Sequence, residues 1–403
     1  MDKQKISVLG LGYIGLPTAA LLSSKKFFVN GFDIDESIVN TINDGKIHIV
    51  EKDLENYVCE GVKNGFLKAN LELKKADIFI IAVPTPFKDS FSPNINYVLN
   101  ALESISKVVE PGNLIILEST VPVGTTDLLK NHLDKLGINT SELYIAHCPE
   151  RVLPGNIMNE LVSNDRLVGG INKESTKKAV EFYKNFVTGN ILETNAKTAE
   201  MAKLTENSFR DVNIAFANEI SMICDKNNIN VWELIKLANQ HPRVEILQPG
   251  PGVGGHCIAV DPWFVVDKNP DLAKVIKSAR ERNISKEKWA YEKIISSLEN
   301  KNNKVTIYGL SFKPNVDDIR ESPALNIANK INSNKNFDVC VVEPLLSINE
   351  IKKMGFCAFD VDNAVKRTGL HVILVNHDIF REKLISSLQD KNFIDFVGIF
   401  EDV

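Results

Sequence analysis

Between Gln248 and Phe264 the chain reads Gln-Pro-Gly-Pro-Gly-Val-Gly-Gly-His-Cys-Ile-Ala-Val-Asp-Pro-Trp-Phe. Four glycines and two prolines in the eight residues before His256 exclude a regular helix or a central strand. The segment is therefore a shaped loop whose main chain can approach a ligand closely. Cys257 stands at its end, and Asp261 follows four residues later. A thiol between permissive backbone and a nearby carboxylate can act as a nucleophile, and it can equally be a small buried hydrophobe, as lone cysteines usually are. The local sequence leaves both readings open.

A second chemical signature lies at the N-terminus. Ile6-Ser7-Val8-Leu9 is a short apolar run that ends in Gly10-Leu11-Gly12-Tyr13-Ile14-Gly15, a helical segment Leu16 to Ser24 follows, and a second strand from Phe28 to Phe32 ends at Asp33. Strand, glycine turn, helix, strand and acid form the dinucleotide fingerprint in its expected context. The glycines permit the tight turn and close pyrophosphate approach, the helix N-terminus supplies positive partial charge, and Asp33 can accept from a ribose hydroxyl. The acid predicts NAD, because the 2′-phosphate of NADP would meet like charge.

A nicotinamide enzyme that oxidises an alcohol once needs a base and a hydride acceptor, but no thiol. Carrying the oxidation on to the acid is different, because the aldehyde must become tetrahedral before it can give up a second hydride. Addition of a cysteine achieves this, and the resulting thioester is then hydrolysed. On this reading Cys257 is the nucleophile, and Lys203 and Asn207 stabilise the developing oxyanion. Asp261 and Glu150 handle protons and activate water, work typically worth ~10²–10⁴-fold for a positioned group. His256 is read as a donor that shapes the loop, not as the base.

These residues need elements to hold them. Strands read at Ile78 to Val83, Leu114 to Leu117, Tyr144 to His147, Arg166 to Gly169 and Ile191 to Thr194, with helical segments between most of them. That pattern predicts a doubly wound α/β domain over residues 1–195. Ligands in such sheets bind beyond the strand C-termini, which puts Val83-Pro84-Thr85-Pro86, Glu118-Ser119-Thr120 and Cys148-Pro149-Glu150-Arg151 at the cofactor edge. From Ala196 the pattern changes to long helices, and 196–300 is expected to be a helical dimerisation region. There Lys203, Asn207 and Arg210 fall at i, i+4 and i+7 and share a face, which taken alone is as readily a solvated stripe. From 301 to 403 a second, smaller Rossmann-like unit begins with Val305 to Gly309, and Ser322-Pro323 reads as N-cap and first residue of a helix. Its first loop lacks the glycine fingerprint and offers Lys313 and Arg320, so phosphates should be held there by side-chain charge.

Bulk properties set outer limits. The chain has 403 residues, 25% of them charged, and a formal net charge of −5, so nothing points to nucleic acid or a polyanionic membrane as partner. The six cysteines are scattered without a Cys-x-x-Cys pair, which fits a reducing cytosol and gives no metal site. Met1-Asp2-Lys3-Gln4-Lys5 runs straight into a strand without an apolar leader, and no stretch has the length of a membrane span; a cytoplasmic protein is expected.

The motifs also carry a resemblance. Gly10-Leu11-Gly12-Tyr13-Ile14-Gly15-Leu16-Pro17, Glu118-Ser119-Thr120-Val121-Pro122-Val123-Gly124-Thr125, Cys148-Pro149-Glu150-Arg151, Ala202-Lys203-Leu204 with Asn207, the Cys257 loop, and Gly309-Leu310-Ser311-Phe312-Lys313 stand in the order found in the UDP-glucose/GDP-mannose dehydrogenase family. The chain resembles that family along nearly its whole length. The resemblance implies an NAD domain, a helical dimerisation core and a nucleotide-sugar domain, with NAD-dependent four-electron oxidation at sugar C6. It assigns Arg151, Val152, Lys203, Asn207, Arg210, His241, Arg243, Gly254 and Lys313 to substrate, with Arg243 able to reach a neighbouring subunit's site. Tyr13, Ile14, Asp33, Thr85, Thr120 and Arg320 are assigned to NAD. Members that act on UDP-glucose usually have Ser before the cysteine and Lys before the aspartate, where this chain has His256 and Val260. Members that act on UDP-N-acetylglucosamine typically continue His-Cys-Ile with Pro, where this chain has Ala259. The implied substrate is a UDP-N-acetylhexosamine, read as the manno epimer with UDP-N-acetylglucosamine as the alternative, since the sequence does not fix the configuration at C2. A hydroxyacid dehydrogenase of the 6-phosphogluconate type and a non-catalytic nucleotide-sugar sensor are the rival readings; the first would make Cys257 dispensable, and the second would need no nucleophile.

Overall fold

The computed structural model describes residues 4–88, 91–255, 257–298 and 303–401. The chain divides into two compact units, Met1–Thr205 and Glu206–Val403, with the boundary inside the helix Ala196–Asn227.

The first unit is built on one sheet of eight strands: β1 (Lys5–Leu9), β2 (Phe28–Phe32), β3 (Leu67–Asn70), β4 (Ile78–Ile81), β5 (Leu114–Leu117), β6 (Tyr144–His147), β7 (Arg166–Gly170) and β8 (Ile191–Asn195). Their spatial order is β3-β2-β1-β4-β5-β6-β7-β8. The reversal of order at β1 makes the sheet doubly wound, and the crevice where the chain turns from one half to the other is the usual ligand position. Pairing is parallel from β3 through β6, whereas β7 runs antiparallel to β6 and parallel to β8.

The central strands Ile-Phe-Ile-Ile and Leu-Ile-Ile-Leu are buried throughout, as strands covered on both faces must be. Alternation sorts their side chains. Ile78, Ile80, Leu114 and Ile116 join one core, and Phe79, Ile81, Ile115 and Leu117 join the core on the other face. Each fully buried aliphatic side chain contributes about 1.5–3 kcal/mol, so these strands fix the level at which every loop leaves the sheet.

The second unit combines the rest of the long helix, the helix Lys274–Leu298 and a parallel sheet of five strands. The strands are β9 (Lys304–Tyr308), β10 (Asp338–Val342), β11 (Cys357–Ala358), β12 (Leu370–Ile373) and β13 (Phe393–Asp395), in the order β11-β10-β9-β12-β13. Ser322 caps the helix Pro323–Asn332, its hydroxyl accepting from Leu325 N at 3.3 Å, and Pro323 occupies the first turn as the sequence implies. On the long helix Phe209, Phe216 and Ile223, seven residues apart, are exposed at 68%, 52% and 48%. No helix among the described residues is long and apolar enough to cross a membrane.

Candidate active site

The first unit carries the expected cofactor cradle, and each glycine in it answers a different demand. Gly10 has φ +85°, and a Cβ there would lie 2.8 Å from the Ala82 carbonyl oxygen. At Gly15 a Cβ would lie 1.8 Å from Gly10 O, so the turn closes only on a bare backbone. Gly12 is different: a Cβ built there would meet no atom within 4 Å. The protein itself has no need of glycine at that position, whereas a pyrophosphate seated on the turn does. The helix Gly15–Ser24 starts with no side-chain cap and no acid in its first turn, leaving its N-terminal field to an anion. Asp33 follows β2 directly and is held in place, its Oδ2 accepting from Leu11 N at 2.8 Å and its Oδ1 from Asp35 N at 3.0 Å. Tyr13 and Ile14 are half-buried in the glycine turn. Thr85 and Thr120, predicted on separate loops, meet directly, Thr85 Oγ1 donating to Thr120 O at 2.7 Å. These residues fit NAD.

Beyond β5 and β6 the structure gathers a buried polar cluster that sequence reasoning saw only in part. Glu150 is buried, its Oε2 accepting from Arg166 Nη1 at 2.5 Å and its Oε1 from Arg151 N at 2.7 Å. Arg166 also donates to Leu161 O at 3.3 Å; burial works against its charge, but Glu150 and the other acidic groups around it, acting together, outweigh this and hold the proton on. Glu118 lies in the same cluster, accepting from Tyr183 OH at 2.8 Å. Burial pushes the Glu118 carboxyl up to about 7, opposed by Arg166 and reinforced by Glu150. Burial likewise drives the Cys148 thiol up to about 12 and the His147 imidazole down to about 3, so neither carries charge at neutral pH. Arg166 and Tyr183 have no motif of their own; an arginine at the start of a strand inside a sheet was the available signal. The loop after Glu150 is shaped by Glu51, whose carboxylate accepts from Gly155 N at 2.8 Å and Ile157 N at 2.9 Å. In it Arg151 donates to Asp165 O at 2.5 Å, and Val152 packs on the core.

The second unit holds the cysteine loop. Cys257 is exposed, and its carbonyl accepts from Val260 N at 3.0 Å and Asp261 N at 2.8 Å. That turn starts the helix Asp261–Lys268, so Asp261 is its first residue and is buried. Its Oδ2 accepts from Asn207 Nδ2 at 2.5 Å. Two residues placed on the site by sequence, 54 apart in the chain, are thus in direct contact. The glycines of the loop lie against the segment that follows β9: a Cβ at Gly254 would stand 2.4 Å from Glu321 O and 2.8 Å from Pro323 Cδ. Gly255, at φ +80°, donates its N–H to Arg320 O at 3.2 Å. The cysteine loop and the loop carrying Lys313 and Arg320 are therefore stitched together. Lys313 is half-buried, its carbonyl accepting from Ser311 Oγ at 2.9 Å. The Arg320 guanidinium is engaged by Asp318, with Nε to Oδ1 at 2.9 Å and Nη2 to Oδ2 at 2.5 Å.

The remaining expected residues are more dispersed. Lys203 is half-buried on the same helix as Asn207, and Arg210 is exposed. His241 and Arg243 are exposed in the turn after the helix Val231–Ala238, where Arg243 N donates to His241 Nδ1 at 3.3 Å. His256 lies outside the described residues. Among the described residues no three His, Cys, Asp or Glu side chains are gathered for a metal ion.

Three models of the UDP-glucose/GDP-mannose dehydrogenase family match: its NAD binding domain at residues 4–187, its central domain at 197–285 and its UDP binding domain at 306–402. The chain is 51% identical to a UDP-N-acetyl-D-mannosamine dehydrogenase of Campylobacter jejuni over 392 residues, 94% of this chain and 96% of that protein. It is 47% identical to an NDP-N-acetyl-D-galactosaminuronic acid dehydrogenase of Ralstonia nicotianae, with 99% and 97% covered. Among solved structures, a UDP-N-acetyl-mannosamine dehydrogenase from S. aureus superposes with a TM-score of 0.89 at 40% identity, covering 99% of this chain and all of that one.

Proposed function

The chain belongs to the UDP-glucose/GDP-mannose dehydrogenase family, and from that premise we propose that it oxidises C6 of UDP-N-acetyl-D-mannosamine to the uronate, reducing two NAD per sugar. The observation that carries this reading is the contact between Asn207 and Asp261, with Asp261 N bonded to the carbonyl of Cys257. Amide, carboxylate and thiol-bearing residue are held in one short frame. Bound NAD supplies the hydride acceptor for each of the two oxidations. The Cys257 sulfur adds to the aldehyde carbon, giving the tetrahedral thiohemiacetal from which the second hydride leaves. Asn207 and Lys203 donate to the developing oxyanion. Water then cleaves the thioester, the carboxylate leaves, and the thiol is restored. Of the two carboxylates first considered, Asp261 is the one bonded to Asn207, while Glu150 is clamped by Arg166.

The mannosamine assignment rests on the residues flanking Cys257 and on the C. jejuni relative. The R. nicotianae relative favours a second reading, a galacto-configured N-acetylated sugar nucleotide. Offering the UDP-sugars of N-acetylmannosamine, N-acetylglucosamine, N-acetylgalactosamine and glucose separately and counting NADH decides between them. Two NADH per UDP-N-acetylmannosamine, with Cys257→Ser halting before acid release, is the expected result; one NADH with full activity in Cys257→Ala overturns the mechanism.

We read the three matched segments as an NAD part, a helical part and a UDP-sugar part, and the exposed Phe209, Phe216 and Ile223 as the seam of a homodimer. The scattered cysteines support a cytoplasmic location.

A further inference from the structure

We infer that Arg280 and Asn218 are positioning residues for the Cys257 loop, gripping its two ends through the Ile258 carbonyl and the Gly250 amide. The inference rests on the reading of Cys257 as the nucleophile. A loop this rich in glycine has little of its own to fix it, so the destination of its terminal backbone groups decides how well the thiol is placed. At the first end Gly250 N donates to Asn218 Oδ1 at 2.9 Å. At the second, Arg280 Nη1 donates to Ile258 O at 3.2 Å, one residue past the cysteine.

Both side chains belong to one buried chain of polar groups between the helices Ala196–Asn227 and Lys274–Leu298. Arg280 Nη1 donates to Asp211 Oδ1 at 2.7 Å. Asn283 Nδ2 donates to Asp211 Oδ1 at 2.8 Å and to Asp211 O at 3.1 Å. Asn218 Nδ2 in turn donates to Asn283 Oδ1 at 2.9 Å. The orientation of each amide is thereby forced, because turning Asn218 over would set two donors against Gly250 N and leave Asn283 Oδ1 without its own. Arg280 is 2% exposed and Asn218 0%.

Stability does not account for this arrangement. A buried ion pair is often no better than well-packed apolar residues of the same volume. Here, moreover, Asp211 Oδ2 and Arg280 Nε are buried without a hydrogen bond among the described residues. A pair that directs the same guanidinium nitrogen to Asp211 and to the carbonyl beside the cysteine holds that carbonyl in place. The gain is in orientation, since displacing a reacting group by about 1 Å can cost about 100-fold in rate.

The test uses the full chain with UDP-N-acetylmannosamine and NAD. In Arg280→Lys the side chain ends one bond short of the Nη1 position, so the ammonium keeps the nearer acceptor, Asp211, and withdraws from the Ile258 carbonyl; Asn218→Ala releases only the Gly250 end. Each is expected to lower kcat about tenfold or more with KM changed less than about twofold, and to leak aldehyde that hydroxylamine traps. A merely structural role lowers the melting temperature and leaves kcat per folded enzyme, and the absence of trapped aldehyde, as in the parent. Two folded variants with kcat within about twofold of the parent overturn the inference. Should Arg280→Lys fail to fold, Asn218→Ala alone decides. Cys257→Ala in the same assay separates the two claims: if it still yields two NADH at the parental rate, the nucleophile reading has failed, whereas if it stalls while both positioning variants run normally, only the present inference has.

Discussion

Asn207 Nδ2 lies 2.5 Å from Asp261 Oδ2, and this single bond ties the long helix to the first residue of the helix that follows Cys257. On the proposed mechanism, removing the amide takes a donor from the reaction, and it leaves a buried carboxylate with one partner fewer. Asn207→Ala is expected to lower kcat by about 10²–10³-fold, as loss of one oxyanion donor does, with a smaller change in KM. Asn207→Asp should be worse, because it sets a second carboxylate against Asp261. Steady-state NADH formation measures both, and a kcat within about threefold of the parent in Asn207→Ala would remove Asn207 from the chemistry.

Gly12 separates folding from cofactor binding. With no atom within 4 Å of a methyl placed there, Gly12→Ala should melt with the parent, while the NAD dissociation constant rises about tenfold or more as the methyl meets the pyrophosphate. Gly15→Ala, whose methyl would stand 1.8 Å from Gly10 O, should lose stability as well as binding. Calorimetric titration with NAD beside thermal melts distinguishes the two. Unchanged NAD affinity in Gly12→Ala would remove that position from the cofactor cradle.

Glu118 gives the stability a pH dependence of definite sign. Burial first, and Glu150 beside it, raise its carboxyl from 4.5 to about 7 against the pull of Arg166. Between those values the folded protein keeps a proton that the unfolded chain has released, so this group makes stability fall as pH rises through the window, and its cost is complete above pH 7. The cost amounts to roughly 3 kcal/mol at most. Glu118→Gln keeps the oxygen that accepts from Tyr183 and removes the titration. Urea unfolding at pH 5 and pH 8 should find the variant gaining on the parent at the higher pH; an equal difference at both pH values would rule the effect out.

The exposed side chains at 209, 216 and 223 predict an association state. Phe216→Asp puts a charge in the middle of the apolar stripe and should convert a dimer to monomers in light scattering, leaving the melting of the isolated chain nearly unchanged. A dimer of undiminished affinity in that variant would place the seam elsewhere.

The sequence was legible where backbone chemistry is local. Strands of continuous Ile, Leu and Phe, the turn at Gly10 to Gly15, and the cap at Ser322-Pro323 all declare themselves within a few residues. β3 did not, because Leu-Lys-Ala-Asn is an edge strand without a β-branched or aromatic residue. β7 and β8 were visible as strands, but their reversed direction depends on pairing, which no local pattern encodes. The same holds for the site. Asn207 and Asp261 could be singled out separately, whereas the Arg166 clamp on Glu150 and the chain from Asp211 to Asn218 join residues whose types are common and whose separation in sequence is large.

The bond from Gly255 N to Arg320 O bears on how such enzymes can be recombined. A graft that exchanged only the five-stranded sheet for that of a relative with another sugar preference would import a foreign Arg320 to Pro323 surface. The bare Gly254, whose missing methyl leaves room for Glu321 O and Pro323, would then face the wrong contour. The UDP-binding segment and the Cys257 loop are one heritable unit, and a productive crossover has to fall upstream of Gly250, not between the two.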